Sequence, residues 1–168
     1  MKTAVSIAEL KTLVKAKIQK ESLSYSLINQ GLPIGAITQI SGYGKTELAV
    51  KFISEHPKAK VAWIEENFSI FPLAFLQRKV KLDRLLFVEA QSDVAWSVLQ
   101  ALKAQIFPII VIYAENIELQ TLRRIQLASE KAGAVTIWLT NQSKTLYPVY
   151  LHLESAKTQN INVLKRRL

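Results

Sequence analysis

Five short apolar runs, AITQIS (36–41), KVAWI (60–64), LLFV (85–88), IIVIY (109–113) and VTIWL (135–139), are separated by longer stretches whose apolar residues recur at helical spacing. Each run is too short for a buried helix and is bounded by glycine, proline or polar residues, the pattern of a strand covered on both faces. Such strands alternating with amphipathic helices predict an α/β fold: a mostly parallel sheet flanked by helices. The helices are read from Lys45 to the His56-Pro57 break, with Leu48, Ala49, Phe52 and Ile53 on one face; over Pro72–Val80, with proline in the first turn; from a Ser92 or Asp93 cap through Ile106; and over Leu119–Lys131, stopped by Gly133. Beyond them, VYLHLE (149–154) and NINVL (160–164) alternate apolar and polar residues, which predicts an antiparallel hairpin at the sheet edge.

The first thirty or so residues read differently. Val5, Ile7, Leu10, Leu13, Val14 and Ile18 lie mostly at helical spacing, with lysines 2, 11, 15, 17 and 20 opposite them, so an amphipathic basic helix is expected, followed by a polar lead-in over Glu21–Gln30. The domain reading is therefore residues 1–30 as helix and lead-in, and residues 31–168 as one core domain with a terminal hairpin and a basic tail.

The stretch GLPIGAITQISGYGKTELAV (31–50) carries the chemistry. A turn at Gly31, Pro33 and Gly35 leads into a strand, a glycine corner (Gly42-Tyr43-Gly44) and a helix opened by Lys45-Thr46. That is the phosphate-binding P-loop order, which needs glycines to let backbone N–H groups close on phosphate, a lysine for the outer phosphates and a hydroxyl for magnesium. The ending Gly44-Lys45-Thr46 is present. In the pattern G-x-x-x-x-G-K-S/T, however, the first glycine falls on Gln39, still inside the strand, so the loop is about three residues short. The same residues also fit a tight turn before an ordinary helix.

At 168 residues, with 49% of them apolar, the chain is long enough for a real core. Lys and Arg number 22 against 13 acidic residues, a formal charge of +9, which suits a polyanionic partner. No cysteine is present, which removes thiolate zinc sites, disulfides and cysteine nucleophiles. With neither a signal-like apolar core at the N-terminus nor an apolar run of membrane-spanning length, the expectation is a cytoplasmic protein without a membrane partner.

From GLPIG through WIEEN to LTNQ, roughly residues 31–142, the order of motifs resembles the RecA-like ATPase core. GLPIGAITQI is similar to the leader that enters the first core strand of that family. The resemblance implies a water-polarising glutamate after the second core strand, where Asn67 stands behind Glu65 and Glu66. It implies a magnesium-side aspartate after IIVIY, where Tyr113 stands with Glu115 two residues on. An amide accepts no proton from water, and a neutral phenol offers a metal no anionic charge. Asn141-Gln142 matches the pair that senses nucleotide and leads into a DNA-binding loop, cut down here to Ser143–Pro148.

The degenerate core, with VAWI, LDRLLFV, LRRIQLASEKAGAV and the ending NVLKRRL, resembles the ImuA family, RecA-like accessory proteins encoded with error-prone polymerases in SOS mutagenesis cassettes. What that implies is a non-catalytic accessory protein of the DNA-damage response and translesion synthesis. Its partners would be a Y-family-like polymerase component, RecA and, weakly, DNA. No cofactor is required, ATP with magnesium being the alternative. The residues that would hold a nucleotide are Gly42, Gly44, Lys45, Thr46 and Gln142; those that would touch DNA are Lys165, Arg166 and Arg167. The alternative function is a compact RecA-like ATPase, or an ATP-binding sensor, acting in DNA recombination and repair, with Glu65 or Glu66 and Glu115 in the vacated roles. Trp63, Trp96 and Trp138 read as core or partner-facing bulk. Arg123, Arg124 and Lys131 read as a solvated helix face. His56 and His152 lack the company of a metal site.

Overall fold

The computed structural model describes Ser6, Ala8 and residues 20–156 and 161–166. The helix expected over Val5–Ile18 falls outside these residues apart from two positions, and Arg167 lies outside them altogether. In chain order the elements are β1 (Ser22–Tyr25), β2 (Ile28–Pro33), β3 (Ala36–Gly42), α1 (Lys45–Glu55), β4 (Val61–Glu65), α2 (Leu73–Gln77), β5 (Leu85–Glu89), α3 (Val94–Ala104), β6 (Ile109–Tyr113), α4 (Leu119–Ala132), β7 (Val135–Leu139), β8 (Leu151–Ser155) and β9 (Ile161–Arg166).

Seven strands form one sheet in the order β5-β4-β6-β7-β3-β8-β9, parallel throughout except for the antiparallel β8-β9 hairpin at one edge. Connections through α1 and α2 run toward the β5 edge, whereas those through α3 and α4 run back across the sheet. Because parallel crossovers are right-handed, the two directions put the helices on opposite faces. Strand alternation then divides the core. Ile40, Trp63, Val111 and Ile137 pack with Phe52 and Ile53 of α1 and Phe75 of α2. Ile37, Ala62, Ile110 and Trp138 pack with Val98 and Leu102 of α3 and Leu122 and Ile125 of α4. All five apolar runs are strands of this sheet, as their composition predicts.

Three local expectations are corrected. The lead-in at 21–30 holds structure: β1 and β2 form a separate antiparallel hairpin, held down where the Tyr25 hydroxyl donates to the Leu48 carbonyl at 2.8 Å and its ring meets Phe52 edge-on at 5.3 Å. The helix expected over Pro72–Val80 closes at Gln77, because Lys79 takes a left-handed conformation (φ 60°) and the Val80 N–H turns back to the Phe75 carbonyl. Asp93 does precede α3, but its side chain makes no cap bond; its own N–H closes a tight turn on Ala90 at 2.8 Å.

Candidate functional site

The loops that follow β3, β6 and β7 meet at the carboxyl end of the sheet, the end where open parallel sheets bind ligands. The glycine corner after β3 is held from outside by β8. Gly42 pairs with Ser155, its φ is 87°, and a Cβ there would lie 2.2 Å from the Ser155 carbonyl oxygen. The Tyr43 N–H donates to that same oxygen at 3.1 Å. Gly42 is thus required by the approach of a strand, and the Tyr43 amide already has its partner. Gly44 differs: at φ 74° it is the N-cap of α1, and a Cβ added to it would meet nothing within 4 Å. No side chain caps α1, so the Lys45 and Thr46 amides stand at a helix head with the favourable end of the dipole.

Lys45 turns back over the sheet. Its Nζ donates to Asn141 Oδ1 at 2.6 Å and lies 5.2 Å from the centre of the Tyr113 ring, close enough for a cation–π attraction. Asn141 in turn donates its side-chain amide to Glu115 Oε1. Glu115 is fixed through its backbone too, where its carbonyl accepts from Thr140 Oγ1 at 3.0 Å and Gln142 Nε2 at 3.1 Å. The result is a hydrogen-bonded chain, lysine to asparagine to glutamate, across the top of β6 and β7. Asn141 thus occupies one of the three donors that the Lys45 ammonium carries.

The acidic stretch after β4 divides by burial. Glu65 is buried beneath its own loop, where Oε1 accepts from Trp63 Nε1 at 2.7 Å and Oε2 accepts from the Ser69 amide, the Ser69 hydroxyl at 3.0 Å and the Ile70 amide at 3.3 Å. With those donors in place this carboxylate shapes the 66–70 loop. Glu66 and Asn67 are exposed, and Glu66 borders a cleft of about 220 Å³ between the heads of α3 and α4. Among the described residues no group of three or more His, Asp or Glu side chains is arranged to hold a metal ion.

Under the loop that follows Gln142 lies a buried polar set that sequence spacing does not reveal. His152, on β8, meets Ser41 Oγ through Nε2 at 2.8 Å and Thr145 Oγ1 through Nδ1. Burial pushes its pKa below the ordinary 6.5; Glu154 opposes that shift and Lys165 adds to it. Beside it Gln39, at the position where the P-loop pattern wants glycine, donates from Nε2 to the carbonyls of Gln142 (2.9 Å) and Lys144 (3.2 Å). Ser41 and His152, like Gln39 and its two acceptors, lie more than a hundred residues apart in sequence, and it is the pairing of β3 with β8 on one side and with β7 on the other that brings them together.

Of the residues singled out from sequence, Gly42, Gly44, Lys45, Thr46 and Gln142 therefore converge on one end of the sheet. Glu115, two residues beyond Tyr113 and past the end of the strand, completes the group through Asn141. Lys165 and Arg166 belong to β9; Arg166 pairs with Leu151 at the other end of β3, and its guanidinium donates to the Gly31 carbonyl at 2.8 Å. They extend the strand expected at 160–164. No family model matches the sequence, and no curated protein does either. Among the described residues no helix is long and apolar enough to cross a membrane.

Proposed function

We propose that this chain is a non-catalytic RecA-like accessory protein of the DNA-damage response, of the ImuA kind, which binds an error-prone polymerase component and RecA and makes weak contacts with DNA. The observation that carries the non-catalytic part is the Lys45–Asn141–Glu115 chain over Tyr113, which gives the P-loop lysine an internal partner. Support also comes from the corner itself: the strand–glycine–helix order is intact, yet Ser155 takes the Tyr43 amide that a phosphate would use. An oxygen-rich metal site would need carboxylates aimed together, whereas Tyr113 contributes a ring beneath the lysine and Glu115 is engaged by Asn141. The partners follow from the resemblance of the motifs in order.

A nucleotide-sensing reading rests on one observation, the uncapped head of α1 beside Lys45. Titration with a fluorescent ATP analogue, with and without magnesium, separates the two, since an accessory scaffold shows no magnesium-dependent saturation. The partner half is tested by purified pairs: the chain on a sensor surface should retain RecA and the polymerase component. Failure to retain either removes the accessory reading.

A further inference from the structure

The outward face of α4 holds Arg123, Arg124, Leu127 and Lys131, all exposed and recurring at three- and four-residue spacing. Taken alone it is a solvated helix face. The fold adds the 141–148 loop beside it, held by Gln39 to two of its carbonyls and by His152 at Thr145. Two exposed residues of that loop, Lys144 and Tyr147, extend the face, with the Arg123 guanidinium 5.5 Å from the centre of the Tyr147 ring. Glu130, the one carboxylate within α4, is paired with Lys20 at 3.2 Å. Four cations, a half-exposed aromatic ring and a 66% exposed leucine thus share one flank of the molecule.

We infer that this flank is a single-stranded nucleic-acid surface, an inference that rests on the reading above of a protein with weak DNA contacts. Lysine and arginine meet phosphates whatever the bases, and an arginine lying on a tyrosine presents planar groups on which an unpaired base stacks. A duplex keeps its bases stacked inside and uses only the charges. An acidic protein segment would also be drawn to the cations, but it has no need of the stacked plane.

The test is fluorescence anisotropy of a labelled oligodeoxythymidine across a salt series. Replacing Arg123 and Arg124 together by Ala should weaken binding and lower the log–log salt slope by about 1.4, two contacts at roughly 0.7 each. Tyr147→Ala should weaken binding between about fivefold and about a hundredfold with the slope unchanged, because stacking carries no counterion. A thermal melt checks each variant; should the double arginine variant fail to fold, Lys131→Ala with Lys144→Ala is expected to give the same slope change. Wild-type binding that survives all of these, or is lost only when Lys165 and Arg166 are replaced, overturns the surface and leaves DNA binding standing. Polyglutamate competing as well as the oligonucleotide overturns it in favour of an acidic protein segment. If the wild-type chain does not bind at low salt, the DNA part of the functional reading fails and the surface fails with it.

Discussion

Two glycines three positions or fewer from Lys45 carry the same residue type for different reasons, and substitution separates them. At Gly42 a methyl group meets the Ser155 carbonyl oxygen at 2.2 Å and the left-handed backbone adds its own strain, so Gly42→Ala is expected to cost more than about 2 kcal/mol. At Gly44 only the backbone conformation resists, and Gly44→Ala should cost about 1 kcal/mol. Urea midpoints of the two variants give the comparison; equal losses would show that β8 does not hold the corner. His152 supplies a pH dependence. Its unfolded ring takes up a proton near 6.5 and the buried ring only at lower pH, so just below 6.5 the unfolded chain binds more protons. Stability should therefore fall as pH drops through 6.5. The loss should flatten in His152→Gln, which removes the titrating ring, and a midpoint that rises on acidification would contradict the burial argument.

At the scale of elements, the five core strands were legible because each is a short apolar run between breakers, and the helices because their buried stripe repeats at helical spacing. Pairing β3 with β8, and so putting Ser155 against Gly42, was not legible: VYLHLE shows that a strand exists but not which edge receives it. The β1-β2 hairpin is hard to see in the sequence because the alternation of Leu23 and Tyr25 with Ser22, Ser24 and Ser26 is a period-two signal diluted by small polar residues. Lys45 and Asn141 were both singled out from sequence. Their contact was not, since it depends on β7 lying beside β3, and the part played by Glu115 depends on that contact. The hairpin's hold on α1 is measurable. Tyr25→Phe removes one hydrogen bond to the Leu48 carbonyl and should cost about 1 kcal/mol. Phe52→Ala empties a fully buried ring site in the same layer and should cost about 3 to 5 kcal/mol. The reverse order would place the anchor of this layer elsewhere.

In the whole molecule the sheet is a scaffold on which the groups of the proposed degenerate nucleotide site have internal partners. Lysine holds asparagine, the corner holds a strand, and Glu65 holds its own loop. A phosphoryl-transfer enzyme needs the opposite, groups left unsatisfied until substrate arrives, and losing both a positioned base and a metal ligand removes several powers of ten in rate. Phosphate release from saturating ATP, measured with and without single-stranded DNA for the wild-type chain and Lys45→Ala, tests this most directly. The two proteins should be indistinguishable from the background without protein, whereas turnover of about one per second that disappears in Lys45→Ala would contradict the account.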